Sequence, residues 1–186
     1  RKKLGLDPGR PVILFAGKLQ RRKHPETLLE AFSQLDRDAL GQPYLLYIGD
    51  GELSHILQGM ARRYGDDVRL LGFRNQTEMP AFYSLADVFV LASECEPWGL
   101  AVNEAMNGGA AVIVSDCCGC AADLVDETCG AVVPAADAVA LTSTLTDILA
   151  VPGRAAAMGA VARTRIAEWG FCEDLKGLRS ALEAVT

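Results

Sequence analysis

Short apolar runs rich in β-branched residues alternate along the chain with segments in which apolar residues recur at helical spacing. The apolar runs are typical of buried strands. Six strands are predicted: Val12 to Phe15, Tyr44 to Ile48, Val68 to Leu71, Asp87 to Leu91, Val112 to Val114 and Ala131 to Val133. The segments with helical spacing predict helices at Glu26 to Leu35, Leu53 to Tyr64, Trp98 to Asn107, Leu141 to Leu149, Arg154 to Ala167 and Asp174 to Val185.

This alternation predicts the fold class. Strands apolar enough to be covered on both faces are typical of a parallel sheet with right-handed crossovers, so we expect an α/β fold with a doubly wound, Rossmann-like sheet. With 186 residues, half of them apolar, the chain is expected to form one domain over residues 1–186. Ligands of such folds bind outside the carboxyl ends of the strands. We therefore expect the functional residues in the loops that follow the strands.

Charge and composition exclude several classes of protein. The 24 acidic residues outnumber the 18 basic ones and give a formal net charge of -6, which disfavours a nucleic-acid partner. No apolar run approaches the roughly 18 to 20 residues that cross a bilayer, and the first residues lack the apolar core of a signal peptide. We expect a cytoplasmic protein with no indicated membrane association. Because the chain starts without an initiator methionine, we also expect a fragment cut at a domain boundary.

The six cysteines do not predict a metal site. Cys117, Cys118, Cys120 and Cys129 do not form the two C-x2-C pairs of structural zinc sites. Reduced thiols are the commoner state in a long chain of this composition. We expect these cysteines to fill the core and the loops, and we expect no metal.

A basic loop follows the first predicted strand. Between Gly17 and Pro25 it carries four cations, Lys18, Arg21, Arg22 and Lys23, just before a helix that Pro25 and Glu26 would begin. The loop is either a solvated basic turn or a group of charges that neutralise a phosphate. Its composition alone leaves both interpretations open.

A glycine-rich turn, Gly49-Asp50-Gly51, follows the second predicted strand. The missing Cβ atoms allow a tight turn and the close approach of a ligand to the backbone, although a turn without a ligand has the same composition. Neither the dinucleotide-binding G-x-G-x-x-G pattern nor the phosphate-binding loop G-x4-G-K-[ST] occurs. Their absence argues against a nicotinamide cofactor and against a P-loop nucleotidase.

The densest group of candidate residues runs from Ala92 to Met106. A helix that begins near Trp98 leaves the first backbone amides, from Gly99 onward, without intrahelical acceptors. Together with the positive end of the helix dipole they form an anion site suited to a diphosphate.

Two carboxylates, Glu96 before this helix and Glu104 within it, bracket the anion site. Carboxylates accept hydrogen bonds from vicinal hydroxyls, which suits a hexose at one end and a ribose at the other. In the alternative interpretation, Glu96 caps the helix and Glu104 is an ordinary helical residue. A glycosidase would need the two carboxylates to face each other across one bond, about 5 to 9.5 Å apart, and would have no use for the cations. Transfer from an activated sugar does use cations, because they stabilise the departing diphosphate.

With these motifs the chain resembles the C-terminal, donor-binding domain of retaining glycosyltransferases with the two-domain GT-B fold, specifically family 4 (glycosyl transferases group 1). The resemblance spans nearly the whole chain, and its most specific element is the Glu-x7-Glu motif of Glu96 and Glu104. It implies that Glu96 contacts the donor sugar, that Glu104 binds the ribose hydroxyls, and that Lys18 and Lys23 bind the diphosphate. Lys18, Lys23 and Glu96 are the expected catalytic residues.

The resemblance also implies further donor contacts and no metal. The base is expected near Gly72, Phe73 and Arg74, and the phosphate near the amides of Gly99 and Leu100. The complete set of expected donor-binding residues besides the catalytic ones is Gly17, Gly49, Asp50, Gly51, Gly72, Phe73, Arg74, Trp98, Gly99, Leu100 and Glu104.

The chain departs from the family pattern at several positions. Lys18 stands where arginine is usual, which keeps the charge but loses the two-pronged hydrogen bonding of a guanidinium group. His24 stands where glycine is frequent. Ala92 and Ala111 stand where proline is common, which should cost some rigidity.

GT-B enzymes bind the acceptor on an N-terminal domain, for which these residues have no counterpart. We therefore expect retaining hexosyl transfer from a nucleotide diphosphate sugar in the full-length protein, and little or no transfer by this fragment alone. Two alternatives stay open: a non-catalytic nucleotide-sugar-binding or regulatory module of the same fold, and a GT-B-like epimerase or phosphorylase.

Overall fold

The computed structural model describes residues 1–184 and contains one parallel sheet. Its strands are β1 (Val12–Ala16), β2 (Tyr44–Ile48), β3 (Val68–Leu70), β4 (Val88–Leu91), β5 (Ala111–Ser115) and β6 (Gly130–Val133). They lie in the order β3-β2-β1-β4-β5-β6, and every neighbouring pair is parallel. All six predicted strands are present, with ends that differ from the prediction by no more than one residue.

The burial of the strands explains why the sequence identified them so well. Every residue of β1, β2, β4 and β5 is buried, as expected for central strands that helices cover on both faces. The edge strands β3 and β6 are only partly buried. The predicted α/β fold with a doubly wound sheet is confirmed.

Eight α-helices accompany the sheet in the described part of the chain. They are α1 (Pro25–Gln34), α2 (Ser54–Ala61), α3 (Met79–Tyr83), α4 (Leu100–Gly108), α5 (Ala121–Leu124), α6 (Ala138–Leu149), α7 (Arg154–Ile166) and α8 (Phe171–Glu183). Three short 3-10 segments cover Lys2–Leu4, Arg21–Lys23 and Arg62–Asp67.

The differences from the predicted helices lie mainly at short elements and at element ends. Helices α3 and α5 were not predicted, because segments of five and four residues are too short to show a helical repeat. The helix predicted to end at Tyr64 changes to 3-10 geometry at Arg62. The last helix begins three residues before the predicted Asp174, and its predicted end at Val185 lies outside the described residues.

Helices α6 and α7 pack on the domain through buried apolar side chains, among them Leu141 and Leu145 of α6 and Ala162 and Ile166 of α7. Within residues 1–184 no single helix is long and apolar enough to cross a membrane. Only this pair, bent by 98°, reaches the required length and composition together.

The strand order reverses between β1 and β4, and this reversal positions the candidate site. The chain moves outward from β1 through β2 to β3, and then returns to the other side of β1 to form β4, β5 and β6. Right-handed crossovers therefore put the connecting helices of the two halves on opposite faces. The loops after β1 and β4 lie at the carboxyl edge on either side of this reversal, where ligands of such sheets bind.

Candidate functional site

Two adjoining cavities open at the carboxyl edge of the sheet. The first, here the large cleft, has a volume of about 650 Å³. Its lining includes eight predicted site residues, Gly17, Lys18, Gly49, Asp50, Gly51, Phe73, Arg74 and Glu104. The second, here the small cleft, has a volume of about 390 Å³, and its lining includes Lys23, Glu96, Trp98, Gly99 and Leu100. Ala101 borders both cavities, so the first turn of α4 separates them.

Gly72 is the predicted site residue that lines neither cleft. Its carbonyl oxygen accepts a hydrogen bond of 2.9 Å from the amide of Gly49. Gly72 therefore supports the turn after β2, which borders the large cleft, through its backbone.

The Lys23 ammonium and the Glu96 carboxylate form a hydrogen-bonded ion pair in the small cleft. Lys23 comes from the loop after β1 and Glu96 from the loop after β4, so the pair bridges the point where the strand order reverses. Only 14% of the lysine side chain and 15% of the glutamate side chain are exposed. The sequence assigned these two residues to different parts of a ligand, and it gave no sign that they pair with each other.

Additional contacts fasten the same two loops. The amide of Glu94 donates a 2.9 Å hydrogen bond to the carbonyl of Arg22, and Nη1 of Arg22 lies 3.3 Å from the carbonyl oxygen of Cys95. His24 Nε2 lies 3.1 Å from Glu94 Oε2. Lys18 and Lys23 line the cavities and Arg22 contacts the loop after β4, so the basic loop is more than a solvated turn.

The glycines after β2 allow two segments of backbone to touch. A Cβ atom on Gly49, whose φ is 129°, would lie 1.9 Å from the carbonyl oxygen of Gly17. A Cβ atom on Gly51 would lie 2.4 Å from the carbonyl oxygen of Leu19. The sequence suggested that these glycines make room for a tight turn and a ligand. The space that their missing side chains leave is filled by the loop after β1.

The first turn of α4 points its free amides toward the small cleft. Its first intrahelical donor is the amide of Val102, 2.7 Å from the carbonyl oxygen of Gly99, so the amides of Gly99, Leu100 and Ala101 precede the helical hydrogen-bond pattern. Gly99 is the N-cap, has φ of 103° and forms no side-chain cap. The alternative that Glu96 caps this helix is therefore wrong, because the Glu96 carboxylate pairs with Lys23 instead.

Glu104, at the boundary of the large cleft, has a tyrosine partner that the sequence did not reveal. The Tyr83 hydroxyl donates a 2.7 Å hydrogen bond to Glu104 Oε2. Burial raises the pKa of Tyr83 above its ordinary value, and the hydrogen bond to Glu104 adds to the increase. Helices α3 and α4 approach closely here, since a Cβ on Gly108 would lie 2.8 Å from the carbonyl carbon of Tyr83. Tyr83 thus holds one oxygen of Glu104 and leaves the other for a ligand.

The remaining residues of the large cleft differ in how far they are engaged by contacts within the protein. The pKa of the Asp50 carboxyl lies below its ordinary value, because the Ser54 hydroxyl and the Gly51 amide donate hydrogen bonds to it. Arg74 packs over the Phe82 ring at 5.7 Å, and its buried Nε has no hydrogen-bond partner within residues 1–184. Phe73 is 77% exposed, which leaves its ring available for stacking.

Trp98 is engaged by the protein itself. Its indole Nε1 donates a 3.1 Å hydrogen bond to Asn103 Oδ1, and its ring centroid lies 5.6 Å from that of Trp169. The indole therefore braces the start of α4 and borders the small cleft with its ring.

Three of the cysteines are buried, namely Cys118, Cys120 and Cys129, and three are exposed, Cys95, Cys117 and Cys172. Burial raises the pKa of Cys120 to about 12, so this thiol stays protonated at neutral pH. In the part of the chain that the structure describes, no three or more histidine, cysteine or acidic side chains are grouped so that they could hold a metal ion.

Comparisons with known proteins identify relatives of the chain. Residues 1–165 match the family described as glycosyl transferases group 1. A GDP-mannose-dependent monoacylated alpha-(1-6)-phosphatidylinositol monomannoside mannosyltransferase from Corynebacterium glutamicum is 32% identical over 179 residues, which cover 92% of this chain and 46% of the relative. The chain spans about half the length of the curated relatives it matches.

Solved structures give the same picture. Sucrose-phosphate synthase from Thermosynechococcus elongatus superposes with a TM-score of 0.82 and 31% identity, over 100% of this chain and 49% of that one. HepE from Anabaena, in complex with UDP and glucose, has a TM-score of 0.80 and 21% identity, over 100% and 50% of the two chains. This chain therefore has the fold of one half of these structures, and it belongs to the glycosyl transferases group 1 family.

Proposed function

We propose that the chain is the donor-binding half of a retaining, nucleotide-sugar-dependent hexosyltransferase of the two-domain GT-B type, in family 4. The observation that carries this proposal is the arrangement around the first turn of α4. A cation, a carboxylate and free helix-end amides meet in the small cleft, and a second carboxylate borders the adjoining large cleft. A nucleotide diphosphate sugar has complementary groups in the same order along its length: a sugar, a diphosphate and a ribose.

In this proposal the diphosphate lies across the first turn of α4. Free amides and the positive end of a helix dipole favour anions, and Lys23 and Lys18 approach this point from the loop after β1. The hexose lies in the small cleft beside Glu96, and the ribose hydroxyls donate to the free oxygen of Glu104. The base lies in the large cleft, where Phe73 is exposed and the Arg74 Nε is unpaired.

The chemistry assigned to these residues is electrostatic. When the bond between the anomeric carbon and the diphosphate breaks, negative charge develops on the departing phosphate oxygen. Preorganised cations and amides stabilise that charge more in the transition state than in the ground state. Lys18, Lys23 and the α4 amides would do so without a metal, because two ammonium groups supply the positive charge.

The relatives support donor binding and bear on the base. The mannosyltransferase named above is described as GDP-mannose-dependent, and HepE was crystallised with UDP and glucose. Because a relative uses one base and a structural neighbour binds another, we assign a nucleotide diphosphate sugar as the substrate class.

We further propose that the acceptor binds to another domain of a longer protein, since the relatives are about twice as long as this chain. The chain alone is then expected to bind donor but to transfer little or no sugar.

We also propose a cytoplasmic location. The three exposed cysteines are unpaired, which suits the reducing cytoplasm.

The test is calorimetric titration of the 186-residue chain with UDP-glucose, GDP-mannose and ADP-glucose, followed by transfer assays. We expect one donor to bind with a Kd between about 1 μM and 1 mM, the usual range for enzyme substrates. Binding of none of them would contradict the proposal. Transfer by the chain joined to an N-terminal domain of the relatives, and not by the chain alone, would distinguish an enzyme half from a non-catalytic binding module.

A further inference from the structure

His24 adopts a backbone conformation that its side chain disfavours. With φ of 48° and ψ of 45° it lies in the left-handed region, which glycine enters freely and residues with a Cβ enter at a cost. The other non-glycine residues with positive φ in the described chain are Gln42 and Ala136. A histidine in this conformation therefore calls for a compensating contact.

The compensating contact is made with the loop after β4. His24 Nε2 lies 3.1 Å from Glu94 Oε2, and because an ionised carboxylate only accepts, the imidazole N–H is the donor. The histidine side chain is 21% exposed and the glutamate 57%. A backbone hydrogen bond from Glu94 to Arg22 lies next to this contact, so side chain and backbone connect the same two loops.

The connection lies beside the charged pair of the small cleft. Lys23 directly precedes His24, and Glu96 follows Glu94 by two residues. Any separation of the two loops would therefore move the Lys23 ammonium away from the Glu96 carboxylate and from the first turn of α4.

We propose that His24 is a positioning residue: its hydrogen bond to Glu94 holds the loop after β1 against the loop after β4 and keeps Lys23 at the diphosphate end of the donor. This inference rests on the proposed donor binding. It assigns the histidine a binding role that works through Lys23, without contact between His24 and the ligand.

The test compares His24→Gly, Glu94→Ala, Glu94→Gln and the control Ala136→Gly in the 186-residue chain. Calorimetry measures the affinities for UDP and GDP and for UMP and GMP, and calorimetric melting measures stability. His24→Gly removes the contact but also relieves the left-handed backbone. Ala136→Gly, at φ of 58°, relieves the same backbone conformation at an exposed position far along the chain.

We expect His24→Gly and Glu94→Ala to bind the preferred diphosphate about threefold to tenfold more weakly, as loss of one charge-assisted hydrogen bond would cause, and to change monophosphate binding less than about twofold. Glu94→Gln keeps an acceptor and should stay within about twofold of the original affinity. His24→Gly should melt no lower than the original chain, and Ala136→Gly should melt up to about 4 °C higher with unchanged binding.

This combination separates positioning from general stability, because the affinity of His24→Gly falls while its melting temperature does not. Unchanged diphosphate affinity in His24→Gly and Glu94→Ala would overturn the inference and leave donor binding intact. Equal losses for diphosphate and monophosphate would overturn it as well. If the original chain bound none of the four nucleotides, the proposed function would fall and the inference with it.

Discussion

The two clefts beside α4 differ in how far they are prepared before a ligand arrives. In the small cleft, Lys23 and Glu96 are already paired and mostly buried, and three contacts between loops hold them there. In the large cleft, Lys18 is exposed and the Arg74 Nε has no partner in the described chain. The small cleft is therefore the more preorganised of the two, and in the proposed function it is the cleft where the bond to the diphosphate breaks.

The ion pair keeps the charges of the small cleft balanced while no ligand is bound. A cation and a carboxylate that neutralise each other avoid the cost of two separate charges in a half-buried place. In the proposed function, an arriving diphosphate would share Lys23 with Glu96, and the carboxylate would then be free to accept hydrogen bonds from sugar hydroxyls. Donor binding would thus exchange the partners of these two side chains without moving the loops that carry them.

The largest effect is expected at the wall of the large cleft, where the loops after β1 and β2 touch. Gly49→Ala would place a Cβ 1.9 Å from the Gly17 carbonyl oxygen, so we expect a loss of about 3 kcal/mol or more in the free energy of unfolding and loss of nucleotide binding. Denaturant unfolding and calorimetry measure the two effects. Gly153→Ala is the matched control: its φ is also positive, but no atom lies within 4 Å of the added Cβ. It should cost only about 1 to 2 kcal/mol, and equal losses in both variants would show that the contact is unimportant.

Glu96→Gln separates chemistry from binding in the small cleft. In the chain joined to an acceptor-binding domain, we expect sugar transfer to fall by about 100-fold or more, a loss comparable to that of one transition-state contact. Affinity for the nucleoside diphosphate should be unchanged or higher, because Lys23 loses its carboxylate competitor. Kinetic assays and calorimetry with UDP or GDP measure both. Transfer within about twofold of the original rate would remove Glu96 from the catalytic residues.

Lys23→Ala tests the cation of the same pair. We expect diphosphate affinity to fall by about 10-fold to 30-fold, because a charge-assisted contact is lost and Glu96 is left unpaired beside the phosphates. Monophosphate affinity should fall less, and titrations with UDP and UMP compare the two. The exposed Lys18 provides the matched variant Lys18→Ala, for which a smaller loss is expected. If Lys18→Ala lost more diphosphate affinity than Lys23→Ala, Lys18 and not Lys23 would be the main cation at the diphosphate.

Tyr83→Phe probes the large cleft with the smallest expected change. The variant removes the hydrogen bond to Glu104 and keeps the ring, so we expect affinity for UMP or GMP to fall by about threefold to fivefold. Binding of 2′-deoxy nucleotides, which lack one ribose hydroxyl, should change less. Tyr64→Phe, which removes a tyrosine hydroxyl outside both clefts, is the control. An equal loss with ribose and deoxyribose nucleotides would contradict the positioning of Glu104 by Tyr83.

The sequence revealed the frame of the molecule better than its contacts. Buried strands such as β4 and β5 are apolar on both faces, and that pattern is local, so it could be recognised directly. The pairing of Lys23 with Glu96 joins residues 73 apart, and the bond from Tyr83 to Glu104 joins residues 21 apart. Such contacts depend on the strand order, which a local pattern does not contain. The sequence therefore supplied the charges of the candidate site, and the fold supplied their partners.

Glycine was the residue type whose role was hardest to predict. Gly49 and Gly51 were expected in a turn and lie in the loop after β2, but the atoms that exclude a side chain belong to the loop after β1. That contact joins two segments about 30 residues apart, and it depends on the parallel pairing of β1 with β2.

Ala101 has a consequence for the size of ligand that the chain can hold. The residue borders both cavities, so an elongated molecule that occupies both of them passes beside it. A bulky side chain at this position would narrow the passage between the two clefts, so that each could hold only a fragment of such a molecule. The length of ligand that the chain accepts would then depend on the size of this one side chain.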